Sequence, residues 1–238
     1  MKIALLGYGK MGHEIEKIAL DRQHRIELRI DIDNQHELTT TNLQKADVAI
    51  DFSTPASAFA NILKCFEAGV PVVCGTTGWL DKVGEVKQEC QKKNGTFFYA
   101  SNYSLGVNIF FAVNRYLSSF MNNIDGYNVN IKEIHHIHKL DAPSGTAISL
   151  ANDLIGNYSK KKKWELNKES DYSTLNITAV REGEVPGTHI ITWDSSVDRI
   201  EIMHQAKSRK GFALGAVLAA EFIREKKGAY SMSDLIRL

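Results

Sequence analysis

Lys2-Ile-Ala-Leu-Leu-Gly7-Tyr-Gly9-Lys-Met-Gly12 is the stretch that decides the fold of the first part of the chain. Its apolar run predicts a buried strand, and a helical pattern of apolar residues follows the glycines. A glycine fingerprint is informative only where it follows a strand and opens a helix, as this one does. We therefore predict a nucleotide-binding turn. Gly7 permits the tight turn, Gly9 lets backbone amides approach a diphosphate, and Gly12 allows close packing of helix and strand.

The alternation of strands and helices continues beyond this turn. A second strand ends at Asp31, where an acid accepts hydrogen bonds from a ribose hydroxyl, and Asp33 is a second acid nearby. Strands separated by helices predict a doubly wound parallel sheet, whose ligands lie beyond the carboxyl ends of the strands. Two turns lie at those ends, Gly75-Thr76-Thr77-Gly78 and Ala100-Ser101-Asn102-Tyr103, although each alone could be an ordinary turn. The predicted strands after the first are 25–30, 47–52, 70–74 and 96–100.

The pattern changes after a predicted core helix at 104–121. Three strand candidates follow one another without helices between them, which predicts a mixed, mostly antiparallel sheet that is open on one face. We expect another subunit to cover Ile190, Ile200 and Ile202 on that face. The lysine run 160–163 is predicted to be a solvated loop, and a helix at 210–226 with the tail 230–238 returns to the first domain. The strand candidates are 175–182, 188–194 and 199–204.

The segment 131–147, IKEIHHIHKLDAPSGTA, is where we expect the chemistry. Successive strand residues face opposite sides, so His135 and His136 cannot serve the same side in regular geometry. The amides of Gly145 and Thr146 at a predicted helix start make an anion site. Lys139 can bind a carboxylate or supply a proton. The segment therefore predicts a pocket for a small anionic substrate with a proton source beside it.

This segment has two other interpretations. The histidines could be surface or core residues of an edge strand. A zinc site formed by His135, His136 and His138 is disfavoured, because these residues alternate across a strand and no Cys-x-x-Cys or His-Glu-x-x-His spacing accompanies them. We predict no metal.

Composition excludes several classes of protein. The 238 residues suffice for two modest domains, and a net charge of +1 gives no reason to expect nucleic acid or a membrane surface as a partner. Three cysteines without metal spacing suit a reducing cytoplasm. The chain begins directly with a strand, so no signal peptide is expected. The longest apolar run, 212–220, is too short to span a bilayer.

The pattern Glu-x-His-His-x-x-Lys-x-Asp-Ala-Pro-Ser-Gly-Thr-Ala at 133–147 resembles the dihydrodipicolinate reductases of the diaminopimelate/lysine pathway. The resemblance covers the whole chain, since the glycine turn, Asp-Phe-Ser-Thr-Pro, Gly-Thr-Thr-Gly and Ala-Ser-Asn-Tyr-Ser-x-Gly-Val-Asn precede it in the family's order. It implies a Rossmann domain for NADH or NADPH, made of 1–105 with 212–238, and a substrate-binding and tetramerisation domain at 106–211. It also implies a cytoplasmic homotetramer that reduces 4-hydroxy-tetrahydrodipicolinate to tetrahydrodipicolinate with loss of water.

The resemblance also implies roles for individual residues. His135 and Lys139 would be the catalytic pair, and His136, Lys139, Gly145 and Thr146 would hold the carboxylates of a small dicarboxylate substrate. The residues that would contact the dinucleotide are Gly7, Tyr8, Gly9, Lys10, Met11, Gly12, Asp31, Gly75, Thr76, Thr77, Ala100, Ser101, Asn102 and Tyr103.

Cofactor preference and two rival functions stay open at this point. Asp31 favours NADH because a carboxylate repels a 2′-phosphate, yet Arg29 or Lys10 could bind that phosphate. One rival is another oxidoreductase of amino-acid metabolism, such as an aspartate or diaminopimelate dehydrogenase, to which the stretch 139–146 is less well suited. The other is a nucleotide-sensing regulator, which would need a DNA-binding helix pair or a basic face, and the sequence has neither.

Overall fold

A computed structural model describes residues 1–168 and 172–237, which form two compact units. The first unit contains Met1–Leu105 and Arg209–Leu238, and the second contains Gly106–Ser208. The end of the predicted tail, Leu238, lies outside the described residues. No helix in the described part of the chain is both long enough and apolar enough to cross a membrane.

The first unit is built on a six-stranded sheet in which all neighbouring strands are parallel. The strand order is β11-β5-β4-β3-β1-β2, so the direction of winding reverses between β1 and β3. The predicted Rossmann-type sheet is thereby confirmed. Its strands are β1 (Lys2–Leu6), β2 (Arg25–Ile30), β3 (Val48–Asp51), β4 (Val72–Cys74), β5 (Thr96–Tyr99) and β11 (Gly228–Tyr230).

Helices cover both faces of this sheet because successive strand residues point to opposite sides. Ile3 and Leu5 belong to one buried cluster, and Ala4 and Leu6 belong to another. The helices of this unit are α1 (Lys10–Asp21), α2 (Thr40–Leu43), α3 (Pro55–Ala68), α4 (Val83–Lys92), α7 (Lys210–Ile223) and α8 (Met232–Ile236), with short 3₁₀ turns at Ile32–Glu37 and Leu80–Lys82.

The second unit contains a five-stranded mixed sheet in the order β10-β9-β6-β8-β7. Its central strand β6 runs antiparallel to β9 and parallel to β8. The other two pairs are antiparallel β9–β10 and parallel β7–β8. The elements are α5 (Leu105–Met121), β6 (Asn128–His135), α6 (Gly145–Asn157), β7 (Lys163–Leu166), β8 (Thr174–Arg181), β9 (Thr188–Asp194) and β10 (Arg199–Gln205).

The prediction of a mixed sheet is confirmed, but antiparallel pairs are not the majority. The chain crosses over through α6 before β8, so β8 lies beside β6 in the same direction. The prediction of a solvated lysine loop is wrong for two of its residues. Lys163 begins β7, and Lys161 is buried, with its Nζ donating to Asn128 Oδ1 at 2.7 Å and to the Thr174 carbonyl at 2.8 Å.

The register of β9 and β10 corrects the expected open face. Ile200 pairs with Trp193 and Ile202 pairs with Ile191, and both partners belong to the buried core beneath α6. Directly paired residues share a face of the sheet, so both isoleucines lie on the core-facing side, where Ile202 packs against the core and Ile200 is 37% exposed. Ile190, opposite Met203, lies on the other face of the sheet.

Candidate active site

The glycine turn of the first unit has the shape that a diphosphate requires. Gly7 has a φ of 91°, and a Cβ there would lie 2.2 Å from the carbonyl oxygen of Phe52, so only glycine fits. A Cβ on Gly12 would lie 2.5 Å from the Gly7 oxygen. Gly9 precedes the first turn of α1, and a Cβ built on it meets nothing within 4 Å. The backbone is therefore open at a helix N-terminus, where anions bind.

Two cavities of the first unit adjoin this turn. One of about 700 Å³ reaches Asp31, and one of about 320 Å³ reaches the β4–α4 turn. Several predicted cofactor residues line them, whereas Tyr8, Gly12 and the segment 100–103 line neither. The predicted residues that line one or both cavities are Gly7, Gly9, Lys10, Met11, Asp31, Gly75, Thr76 and Thr77.

Phe52 and Ser53 line both cavities, and no site role was predicted for them. The Phe52 ring lies so close to Gly75 that a Cβ there would approach it to 2.2 Å. The signal was available in the sequence, because the Asp-Phe-Ser-Thr-Pro stretch follows a strand at the same sheet edge as the two predicted turns.

Asp51 connects the turn after β3 and the turn after β4 through hydrogen bonds. It is fully buried and accepts hydrogen bonds from Thr76 Oγ1 at 2.7 Å, Asn61 Nδ2 at 2.8 Å and Ser53 Oγ at 2.9 Å. Burial raises the pKa of this carboxyl, and the hydrogen bonds oppose that rise. The Ser53 amide also donates to Thr76 Oγ1 at 2.9 Å. One buried acid thus fixes two segments of the cavity wall.

The end of β2 carries the charges that would meet a ribose. Asp31 caps the following 3₁₀ turn, and its amide donates to Asn34 Oδ1 at 2.7 Å. The Arg29 guanidinium is paired with Glu16 on α1 and lies 5.9 Å from the centre of the Tyr8 ring. The Tyr8 hydroxyl also donates to Glu16. Glu16, which was not predicted, compensates the charge of Arg29.

The segment after β5 supports the site from the core. Ala100 is buried, and Ser101 is exposed. Tyr103 is 2% exposed and donates to the Cys74 carbonyl at 2.7 Å. Asn102 Oδ1 accepts a hydrogen bond from the Ser104 amide at 2.9 Å. The Tyr103 side chain therefore holds the end of β4, next to Gly75, and does not line either cavity.

In the second unit, β6 ends at the predicted catalytic histidine. His135 is 7% exposed and shares the buried face of β6 with Glu133, whereas His136 lies just beyond the strand. Burial lowers the pKa of His135, and Glu133 opposes this effect from 3.6 Å. Gly187 packs against the imidazole, since a Cβ built on it would lie 3.0 Å from His135 Nε2.

Glu133 is the centre of the polar cluster around this histidine. Its carboxylate has no exposed surface and accepts the Ser144 amide at 3.0 and 3.1 Å. Arg181 of β8 donates to it at 3.2 Å, and His189 Nε2 of β9 lies 3.8 Å from it. Arg181 also donates to the Asp141 carbonyl at 2.6 Å. The carboxylate therefore joins three strands to the loop that leads into α6.

The start of α6 has the features of the predicted anion site. Ser144 caps the helix by accepting the Ala147 amide at 3.2 Å, and its Oγ lies 3.1 Å from His189 Nε2. Gly145 and Thr146 are the first helical residues, and a Cβ on Gly145 would meet nothing within 4 Å. An anion can therefore approach this end of the helix closely.

The loop between β6 and α6 carries the predicted ammonium group. Lys139 donates to Asp141 Oδ1 at 2.7 Å, and this contact lowers the pKa of Asp141. The charge of Lys139 also lowers the pKa of His135. His138 is exposed beside Glu184, with 3.3 Å between Nε2 and Oε1. The ring centres of His136 and His138 are 6.1 Å apart.

Burial lowers the pKa of His189 to about 3, with smaller contributions from the charges of His135, His204 and Lys139. His189 therefore stays neutral at physiological pH. Its ring centre lies 5.1 Å from that of His135 in an edge-on arrangement.

Glu133, His135 and His189 place possible metal ligands within 4.8 Å of one another. The Glu133 carboxylate already accepts the Ser144 amide twice and the Arg181 guanidinium once. A cation between these residues would compete with that guanidinium. We therefore treat the cluster as a network of charges and hydrogen bonds.

Sequence reasoning missed Glu133, Arg181 and His189. Glu133 could have been identified from the sequence, because it follows the apolar residues Val129 and Ile131 on the same face of a predicted strand. The other two come from separate strands, and only the register of the sheet brings them to Glu133.

Comparisons with known proteins cover the whole chain. Residues 1–103 match the family model for the N-terminus of dihydrodipicolinate reductase, and residues 106–236 match the model for its C-terminus. A 4-hydroxy-tetrahydrodipicolinate reductase of Christiangramia forsetii is 51% identical over 237 residues, which is 99% of this chain and 98% of the relative. One of Neisseria meningitidis is 34% identical over 230 residues, which is 94% of this chain and 84% of the relative.

A solved structure has the same fold. Dipicolinate-bound dihydrodipicolinate reductase from Paenisporosarcina sp. TG-14 superposes with a TM-score of 0.81 at 21% identity, over 98% of both chains. The two family models together with the sequence relatives show that this chain belongs to the dihydrodipicolinate reductase family.

Proposed function

We propose that this protein is an oxidoreductase that reduces 4-hydroxy-tetrahydrodipicolinate to tetrahydrodipicolinate in diaminopimelate and lysine biosynthesis. One NADH or NADPH and one proton are consumed, and one water is released. The proposal is supported by the family of the chain and by Glu133, which accepts the Ser144 amide at the start of α6 and lies 3.6 Å from His135.

The first unit fits a dinucleotide. The open amides after β1 suit its diphosphate, and Asp31 on the wall of the larger cavity suits a ribose hydroxyl. When bound, the reduced nicotinamide supplies the hydride that the reaction needs. The residues of the turn and of the β4–α4 loop hold and orient the ligand.

The second unit supplies the proton and binds the substrate. Addition of a hydride to a conjugated imine leaves negative charge, which must be met by a proton. Lys139 and His135 are the groups that can give one, and a positioned donor contributes roughly 10²- to 10⁴-fold in rate. The amides of Gly145 and Thr146, together with His136 and the Lys139 ammonium, hold the two carboxylates.

The decisive experiment follows the absorbance of the reduced cofactor, with substrate generated in situ from pyruvate and aspartate semialdehyde. Lys139→Ala and His135→Ala should each lower kcat by about 100-fold or more while leaving the Kd for NADH unchanged. His138→Ala is the matched control, because this histidine is exposed on the same loop. Normal turnover in both variants would contradict the assignment.

We further propose that the protein is a cytoplasmic homotetramer. Its cysteines are buried free thiols, as suits a reducing compartment. The outer face of the second sheet exposes Met203 at 59% beside Ile190, and a copy of the chain would cover them. Light scattering at micromolar concentration should give four times the mass of the chain, and a monomeric mass would contradict this proposal.

A further inference from the structure

The cluster around His135 contains one charge that the reaction itself does not use. Glu133 has no exposed surface, yet it carries a carboxylate. A buried carboxylate is costly unless it is paired and hydrogen-bonded. Its partners come from four places: β8, β9, the start of α6 and the end of its own strand. Loss of this carboxylate would remove an acceptor from both the Ser144 amide and the Arg181 guanidinium.

We propose that Glu133 is the positioning residue of the reaction: its carboxylate orients and charges the proton-donating imidazole of His135 while anchoring the helix start that receives the substrate carboxylate. This inference rests on the proposed function. It assigns to Glu133 no contact with the substrate or the cofactor.

Glu133 faces the imidazole of His135. His135 Nδ1 lies 3.6 Å from Glu133 Oε2, and it has no hydrogen-bond partner among the described residues. Catalytic hydrogen bonds are often long before the ligand is bound and tighten in the complex. A proton on Nδ1 would thus be directed at the carboxylate. The ring is held in this orientation by Gly187 on one side and by His189 on the other.

Glu133 also contacts the start of α6. The Ser144 amide donates to both oxygens of Glu133, so the carboxylate sets the position of the residue that caps α6. Arg181 fixes the same carboxylate and also holds the loop through the carbonyls of Lys139 and Asp141. Glu133 therefore sets the positions of both the proton donor and the start of the helix.

The charges that face His135 determine the sign of the effect. Glu133 on its own strand and Asp141 on the loop favour the imidazolium, whereas Lys139 and Arg181 oppose it. His189, packed against the ring from β9, is neutral. Asp141 is already paired with Lys139. Burial lowers the pKa of this ring overall, and Glu133 is the group among the described residues that most opposes this effect.

The test is the pH profile of Glu133→Gln, which keeps the shape of the side chain and removes its charge. His135 should lose its proton at lower pH, so the high-pH limb of kcat should move down by about one unit, because an opposite charge at this distance shifts a pKa by one or more units. At a pH on that limb, kcat falls about tenfold. A kcat that falls equally at every pH would show a merely structural role and overturn the inference.

Two further variants separate charge from shape. Glu133→Asp keeps the charge, so its high-pH limb should stay near that of the wild type even where kcat is lower. A limb that moves as far in Glu133→Asp as in Glu133→Gln overturns the inference. Asp153→Asn is the matched control, because it removes a carboxylate from α6 that pairs with Arg115 at 2.9 Å. Its profile should match the wild type.

A measurement without turnover separates this inference from the proposed function. Nitrogen NMR of the His135 ring should show the proton on Nδ1 in the wild-type protein and a lower titration midpoint in Glu133→Gln. An unchanged midpoint overturns the role of Glu133 even where the wild-type enzyme is active. Absence of reductase activity in the wild type would instead contradict the proposed function, and the ring titration would still decide the effect of Glu133 on His135.

Discussion

At the scale of single residues, we expect the preference between NADH and NADPH to depend on which charges near Asp31 already have a partner. Arg29 is the cation closest in sequence to Asp31, and its guanidinium is paired with Glu16 of α1. The hydrogen bond from Arg29 lowers the pKa of Glu16, and a hydrogen bond from the Tyr8 hydroxyl acts in the same direction. A guanidinium held in this way is less available to a 2′-phosphate, so we expect a preference for NADH.

Glu16→Gln should therefore improve the use of NADPH relative to NADH. A partly exposed ion pair is worth up to about 1 kcal/mol, which corresponds to a rise of about fivefold in the ratio of the two kcat/KM values. Steady-state rates with each cofactor measure this ratio. Asp21→Asn is the control: it also removes one negative charge from α1, at the last residue of the helix, and should leave the ratio unchanged. An unchanged ratio in Glu16→Gln would mean that Glu16 does not restrain Arg29.

The residues that sequence reasoning found are those whose function is local. The requirement for glycine at Gly7 follows from a turn between a strand and a helix that can be read in eleven residues. The Gly145–Thr146 amides follow from a helix start in the same way. Glu16, Phe52 and Arg181 act across the fold, and their partners are far away in the sequence. No spacing rule brings such residues together.

At the scale of elements, α7 shows how closely a helix can approach the site. Gly215 lies where a Cβ would be 1.7 Å from the carbonyl oxygen of Tyr103. Tyr103 in turn supports the end of β4 through the Cys74 carbonyl. The helix can lie at this distance only because Gly215 has no side chain.

Gly215→Ala should consequently destabilise the protein by about 3 kcal/mol or more, since α7 must move away from a packed backbone. Gly211→Ala on the same helix is the matched control, because its Cβ would meet only Ser104 Oγ, at 3.8 Å. Alanine there should be neutral or stabilising by up to about 1 kcal/mol. Urea denaturation gives both values, and equal stability of the two variants would contradict this account of the packing.

The elements that were missed are short or depend on their neighbours. β7 has four residues and β11 has three, and neither contains the run of large apolar residues that marks the equally short β4 and β5. The direction of β8 relative to β6 depends on the crossover through α6, which a list of strands does not contain. The two long helices α5 and α7 were predicted because their apolar pattern extends over several turns.

At the scale of the whole molecule, buried histidines link stability to pH. The pKa values of His135, His189 and His204 are all lowered, with burial as the largest cause. The unfolded chain therefore binds more protons than the folded chain as the pH falls below the ordinary histidine pKa of about 6.5. Their contribution to stability is complete above that pH and is lost on acidification. Asp51 acts with the opposite sign, because burial raises its pKa.

His189 allows this link to be measured. With a folded pKa of about 3, it should cost the protein roughly 2 kcal/mol of unfolding free energy between pH 7 and pH 5. His189→Gln cannot titrate in this range, so its stability should depend on pH less steeply than that of the wild type by this amount.

Ser144→Ala separates the effect of titration from the effect of losing a contact. It removes the hydroxyl 3.1 Å from His189 and should lower stability similarly at both pH values. Denaturation of the three proteins at pH 5 and pH 7 measures these differences, and parallel behaviour of wild type and His189→Gln would show that the buried imidazole takes up no proton on unfolding.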